Sequence, residues 1–539
     1  MPSTTIDTDT TPHLYDGRTA GCKLHILIIG CGLGGLAAAH TLASSGHTIT
    51  LLESAPALGE VGAGIQVSPN VSRLLRRWGL GAQLAAAAVR PEAIVFRRAR
   101  DGVVVGYTRW GAQIEKKHGA PYLHVHRADF HQMLCTLATQ HPNVTLRLSS
   151  TVVSIDPDSE NPSVTLAGGE VLRGDLIVGA DGVKSIVRQV VVGRPDRATP
   201  TGDAAYRAII STEFMLKDPE LKSFVDVPEM TAWMGPGRHL MAYNIRAKKE
   251  FNLVMLHPDD GSVESWTAEG SAEKMLADFA DFEPRVRKLL SQVGSTLKWR
   301  LMDRSPLDTW VHPSGRVVLL GDSCHPMLPY RAQGAAMALE DASVLGAVLS
   351  HLPPSPSHHK SNSNPYIHPF LNAYQSLRHA RATATQASSR LNQHVFHLDY
   401  GKEQVGRDED MRDAMREEVR RVFRVEGEGG REVLAHLEGD VEGGWEGLLA
   451  VGKPTMGEKG EVNGNGHVNG EERNGGEESG SEGNEGNANQ WADERKNVEQ
   501  FSYDADEAAE RWWAQEGEVL VRRVDEELRA GLAGAGTTT

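Results

Sequence analysis

Residues 24–54, LHILIIGCGLGGLAAAHTLASSGHTITLLES, constrain the fold more than any other stretch of the chain. An apolar run at 24–29 reads as a buried strand and stops at Gly30, Gly32 and Gly35, spaced G-x-G-x-x-G. A small-residue helix follows, then a second strand at 48–52, which Glu53 closes eighteen residues past Gly35. A side chain at these glycines would block the tight turn, the approach of a phosphate or the packing of helix on strand. The helix N-terminus suits a pyrophosphate, and Glu53 sits where a carboxylate can take a ribose hydroxyl pair. The motif predicts a dinucleotide-binding β-α-β unit and leaves open which dinucleotide.

With 539 residues the chain is too long for one ordinary core, so two domains are expected. The net charge of −15 argues against nucleic-acid binding. Four cysteines, Cys22, Cys31, Cys135 and Cys324, contain no C-x-x-C pair and suggest reduced thiols in a cytoplasmic protein. The polar opening residues lack the apolar core of a secretory signal, and no membrane span is expected.

The pattern along the chain divides it as follows. Residues 1–21 read as a disordered arm. Segments 22–90, 120–200 and 301–351 form a discontinuous Rossmann-like α/β domain, interleaved with a β-sheet substrate domain from 91–119 and 201–300. Residues 353–369 read as a loop insertion and 370–425 as C-terminal helices. Gly, Glu and Asn dominate 426–490, a low-complexity insertion with too little apolar surface to order. A helical tail, 491–539, is expected to pack back on the core across that insertion.

Two further stretches repeat the logic of a strand ending in a carboxylate. GDLIVGADGVKSIVRQ ends its strand at Asp181, before Ser185 and Arg188, and GRVVLLGDSCHP ends at Asp322. In order and spacing the three stretches resemble the fingerprint of the group A flavoprotein aromatic hydroxylases, over about residues 23–400. GAGIQVSPN (62–70), HVHRADFHQML (124–134), AYRAII (205–210), WMGPGRHLMAYNIR (233–246) and HPMLPYRAQGAAMALEDA (325–342) are most similar to its salicylate hydroxylase and 3-hydroxybenzoate 6-hydroxylase group. The resemblance implies bound FAD, NAD(P)H as transient co-substrate, and dioxygen transferred to a small aromatic or phenolic substrate, in a soluble enzyme that forms a homodimer. It places Gly30, Gly32, Gly35, Glu53, Ala63, Gly64, Arg127, Asp181, Asp322, Pro326, Gly334 and Ala335 at the flavin cofactor. Asp322 would take cofactor hydroxyls, and the helix after Gly334 would aim its N-terminal dipole at the flavin edge where negative charge collects on reduction.

On the substrate side, His239 and Tyr243 stand four apart on a strand and share a face. His239 is the candidate base for a substrate phenol, Tyr243 a hydrogen-bonding partner, and Arg207 a carboxylate anchor. Gln66 and Gln333 are weaker substrate candidates. Arg331 stands where an apolar residue is expected, so it would add charge near the flavin or face solvent. No metal is expected: His124, His126 and His131 lack a carboxylate or thiolate to complete a set. The adjacent Cys324 and His325 should point apart rather than pair as nucleophile and base. Two rival readings remain: an epoxidase of a non-aromatic terpenoid or polyketide, and a non-catalytic GDI-like binding protein. The second should lack the carboxylates that Glu53 and Asp322 supply.

Overall fold

The structure is a computed structural model that describes residues 14–59, 62–158, 161–261, 268–356, 364–423 and 493–535. The low-complexity stretch at 426–490 lies outside the described residues. A five-stranded sheet runs in the order Val317–Leu319, Leu176–Gly179, His25–Ile29, Thr48–Leu52, Val144–Arg147, with every neighbouring pair parallel. Val317–Leu319, Leu176–Gly179 and His25–Ile29 are near-continuous buried apolar runs, as parallel strands covered on both faces require, whereas threonines interrupt Thr48–Leu52 and the edge strand Val144–Arg147 is only partly buried.

Two helices dominate the packing on this sheet. Leu33–Ser44 and Gly334–Ser350 lie against each other and are buried almost all round. Small residues let their backbones approach: Thr41 donates to the Ala342 carbonyl at 2.7 Å and Ser45 to the Gly346 carbonyl at 2.9 Å. Residues 14–21, expected within a disordered arm, instead pack here: Ala20 is buried and its N–H donates to the Ser45 carbonyl, while Arg18 binds Ser350 and Glu510. Apolar Leu14 and Tyr15 reach the core, which a composition reading of that stretch overlooks.

The second large sheet has eight strands in the order Ala268–Gly270, Thr296–Asp303, Thr199–Ser211, Glu250–Pro258, Arg238–Ile245, Met230–Gly235, Ala93–Arg98, Val104–Arg109. All pairs are antiparallel except Met230–Gly235 with Ala93–Arg98. Strand alternation gives it two apolar faces. Tyr206, Trp233, Leu240, Phe251 and Met255 pack under the helices Ala272–Asp278 and Pro284–Leu290. Ala205, Ile209, Met241, Tyr243, Val254 and Trp299 line the opposite face, toward the first domain. A short antiparallel ribbon, Gly64–Val67 with Leu123–His126, lies against that face.

Helix Ile367–Phe396 follows the second glycine-started helix, and Lys402–Phe423 lies on Val104–Arg109. Beyond residue 492 come the helices Glu494–Phe501, Ala505–Trp512 and Glu518–Ala535. They dock on the first domain: Arg77 pairs with Asp504 and Asp506, Ser343 with Asp506, and His351 stacks on Trp513 at 4.0 Å.

Candidate active site

The carboxyl ends of three of the parallel strands deliver Gly30, Glu53 and Gly321-Asp322 to one edge of the five-stranded sheet, where open α/β sheets place their ligands. Gly30 has φ +104°, and a Cβ there would meet the Ala180 carbonyl oxygen at 2.4 Å; at Gly35 it would meet the Gly30 oxygen at 2.0 Å. These two glycines close the turn. At Gly32, the N-cap of its helix, an added Cβ would meet nothing within 4 Å, and no side chain caps that helix. The Glu53 carboxylate spans the neighbouring loop, accepting from the Cys31 N–H at 3.0 Å and the Ala55 N–H at 2.8 Å.

Asp322 is exposed, yet crowded enough that burial among its neighbours raises its pKa, with His325 and Arg127 opposing. That combination describes a carboxylate on a cleft floor. Among the described residues its oxygens accept no hydrogen bond, and Oδ1 lies 3.8 Å from the Cβ position of Gly334 at the start of an uncapped helix. Arg127 begins the helix Arg127–Thr139, its N–H bonded to the Ala63 carbonyl at 2.7 Å. The Pro326 carbonyl is held by Gln386 at 2.8 Å, and Gly334 and Ala335 are partly open. Two uncapped helix ends, side-chain-free approaches at Gly32 and Gly334, and a carboxylate with both oxygens available fit a long anionic dinucleotide bearing ribityl or ribose hydroxyls.

Asp181, placed at the cofactor by resemblance, turns one oxygen inward: it accepts from the Ile186 and Val187 N–H groups and starts its own short helix. The buried Arg188 ties this stretch to the next, donating to the Cys324 and Ser305 carbonyls at 2.8 and 2.9 Å and pairing with Asp196.

Beneath the second helix lies a charged network that the sequence reading missed. Glu340 and Asp341 are fully buried. Arg378 pairs with both, at 2.7 and 2.8 Å, and Arg381 and Asn70 hold Glu340. Asp341 also accepts from the Gly321 N–H and from His325. Burial raises both carboxyl pKa values, but the surrounding cations (Arg381 and Arg378; His325 and Arg378) outweigh it and keep both below the usual carboxylate range. The signal was present: adjacent acids in an apolar helix, and arginines three apart in the next one. Gln333, a substrate candidate, belongs to the edge of this network, bonded to Ser68 and Asn70 and almost fully buried.

On the sheet side, Tyr243 packs so closely on the ribbon that a Cβ at Gly64 would stand 2.4 Å from its ring. Its hydroxyl bonds Gln66, which also accepts from Tyr122 at 2.6 Å. Burial raises the Tyr243 pKa, with Arg207 and the Gln66 bond opposing. The Arg207 guanidinium carbon lies over the Trp299 ring, 4.3 Å from its centroid. His239 shares the face but sits about 13 Å further along the strand. It is buried, bonded through Nδ1 to His397 Nε2 at 2.8 Å, and set against Tyr330 and Phe396. Burial, with His397 second, holds its pKa well below the usual histidine range. Asp203 stands behind His397 at 3.6 Å and accepts from Tyr330 and Gln393.

Three side readings change. Arg331 neither faces solvent nor stands free: it is buried and donates to Gln500 of the helix Glu494–Phe501, and burial lowers its pKa to about 10. Cys324 and His325 do not point apart: their side chains and Asp341 lie within 4.8 Å of one another, the thiol donating to the Gly321 carbonyl at 3.3 Å and His325 bonding Asp341 at 2.6 Å. All three are buried and Asp341 is already committed to Gly321 and Arg378, so the cluster braces the fold. His124, His126 and His131 go separate ways: His124 packs on Tyr243 at 4.4 Å, His126 faces Asp129, and His131 bonds the Cys31 carbonyl.

Residues 23–389 match the family model described as an FAD binding domain, and the chain belongs to that family of FAD-dependent monooxygenases. It is 39% identical over 393 residues to FAD-dependent monooxygenase OpS4 of Beauveria bassiana, covering 72% of this chain and 89% of that one. It is 34% identical over 377 residues to 3-hydroxybenzoate 6-hydroxylase of Polaromonas naphthalenivorans, covering 69% and 88%. A salicylate hydroxylase substrate complex superposes with a TM-score of 0.59 at 25% identity, over 78% of this chain and 98% of that one. The protein is an FAD enzyme with the NAD(P)H dependence typical of its family. Among the described residues no helix is long and apolar enough to cross a membrane.

Proposed function

We propose that this monooxygenase hydroxylates a phenol or aromatic acid held between the flavin and the Tyr243 face of the eight-stranded sheet. The observation that carries this reading is the meeting of Tyr243 and Arg207, on one apolar, aromatic face of the sheet, with Gln66 of the Gly64 ribbon that abuts it. Bound FAD, reduced by NAD(P)H, supplies the oxygen chemistry. The wall excludes water and orients the ring. Arg207, over the Trp299 ring, is suited to grip a carboxylate through two N–H groups. Gln66 and the Tyr243 hydroxyl bond the substrate's polar edge. His239, kept neutral by burial, is the acceptor for a phenolic proton, and His397 and Asp203 stand behind it to share the charge. Glu53, Asp322, Arg127 and the helix ends at Gly32 and Gly334 hold the cofactor in this reading.

The test is NADH and NADPH oxidation by the purified protein with salicylate, 3-hydroxybenzoate and 3-amino-4-hydroxybenzoate, with product and hydrogen peroxide measured together. At least one compound should stimulate oxidation and be hydroxylated. His239→Asn should keep cofactor reduction while product falls by roughly 10² to 10⁴ and peroxide replaces it. Coupling at the wild-type level in that variant would remove His239 from the mechanism. Failure of phenols and aromatic acids alike, with turnover of a non-aromatic alkene, would favour epoxidation.

A further inference from the structure

The C-terminal segment reaches the back of the same wall. Asp493 caps the Glu494–Phe501 helix, accepting from the Lys496 N–H at 3.0 Å. Arg381 clamps its last turn, donating to the Glu499 and Gln500 carbonyls at 2.8 and 2.9 Å while it holds Glu340. This delivers a buried Phe501 edge-on to Tyr122, ring centroids 5.9 Å apart, and to His118 at 5.5 Å. Tyr122 is stacked on Trp110 at 4.3 Å and donates its hydroxyl to Gln66. Gln66 bonds Tyr243. Contacts therefore run without a break from Phe501 through Tyr122 and Gln66 to Tyr243, although residue 501 lies far beyond the 23–389 span of the family match.

The ribbon that carries Gln66 has two short strands, and a two-stranded ribbon is marginal unless something packs behind it. Trp110 and Phe501 are its aromatic backing around Tyr122. We propose that Phe501 is a positioning residue for the substrate side of the flavin cleft, acting through Tyr122 to fix Gln66 and Tyr243. The proposal rests on the reading of Gln66 and Tyr243 as substrate-facing. Truncating the ring frees Tyr122 and loosens its bond to Gln66, whereas Gly30, Gly32, Gly35, Gly334 and Asp322 lie in other elements and are untouched.

The experiment uses the full-length FAD-loaded protein as wild type, Phe501→Ala and Phe501→Leu. Hydrogen exchange is read on the ribbon (64–67 and 123–126) and on the central strand (26–29), and 3-hydroxybenzoate is titrated while the flavin absorption is followed. In Phe501→Ala the ribbon should exchange about tenfold faster while the central strand and FAD content stay at wild type. The apparent Kd for 3-hydroxybenzoate should rise about tenfold, and Phe501→Leu should recover most of both effects. Unchanged ribbon exchange in Phe501→Ala would overturn the proposal, as would equal loosening of both regions, which would make the tail a general stabiliser. If wild type itself ignores 3-hydroxybenzoate, that substrate is wrong, and the exchange result alone decides the role of Phe501.

Discussion

On the cofactor side of the cleft, Gly30, Gly32, Gly35 and Gly334 and the ends of parallel strands set the shape, so the geometry is a property of the backbone. On the sheet side, Tyr243 depends on Gln66, Gln66 on Tyr122, and His239 on His397, each partner from another element. A backbone cradle survives most substitutions of its neighbours. A side-chain wall is only as fixed as its most distant support. Cofactor binding and substrate positioning should therefore be separable by mutation.

The cradle has one weak point, the charged layer beneath it, and the largest effect is expected there. Arg378→Ala leaves Glu340 and Asp341 buried with fewer cations and should cost about 3–5 kcal/mol. Denaturant unfolding and flavin content should fall together. Stability and flavin content both at wild type would show that Arg381 and His325 suffice.

Acid should loosen both sides, and earlier than carboxylate titration would. Burial pushes His40 and His124 down to about 3 and His47 down to about 4, below the ordinary value of 6.5. These groups stay neutral in the fold but take protons once unfolded. Their contribution is complete above the unfolded value and is lost as pH falls below about 6.5 toward the folded values. Each costs about 1.4 kcal/mol per pH unit once the unfolded chain is protonated. The carboxylates of Glu340 and Asp341 act in the same direction but only below about pH 4. Melting temperature should therefore drop between pH 6.5 and 5, and His124→Phe on the ribbon should flatten that slope by one proton. A flat profile down to pH 5 would contradict the buried neutral histidines.

Gly64→Ala is a smaller and more local test. The added methyl collides with the Tyr243 ring and should cost about 1–3 kcal/mol of stability. Tyr243→Leu in the same chain should relieve part of that cost. Strict additivity of the two substitutions would mean that the contact is unimportant.

What was legible follows the same division. The glycine spacing, the strand-end carboxylates and the alternation that puts His239 and Tyr243 on one face are local patterns, and they can be read from the sequence. The Arg378–Glu340 pair, the Gln500–Arg331 bond and the Phe501–Tyr122 contact join residues between 38 and 379 positions apart. No periodicity encodes such pairings. Arg331 shows the limit: as a lone cation in a loop it reads as a charge near the flavin or a solvent-facing one, because its partner lies in the distant helix Glu494–Phe501. Residues 14–21 show another, since Leu14 and Tyr15 at the core and the Arg18 bonds to Ser350 and Glu510 anchor a stretch that reads as polar.

The account stands most directly on Asp322, the carboxylate on the cleft floor that the described protein groups leave free to accept hydrogen bonds. FAD should be titrated into flavin-stripped wild type and Asp322→Ala, with the melting temperature of each flavin-free protein as control. The account predicts that FAD affinity falls about ten- to a hundredfold, equivalent to about 1.4–2.8 kcal/mol, while the flavin-free melting temperature is unchanged. Equal FAD affinity in the two proteins would contradict it and remove Asp322 from the cofactor site.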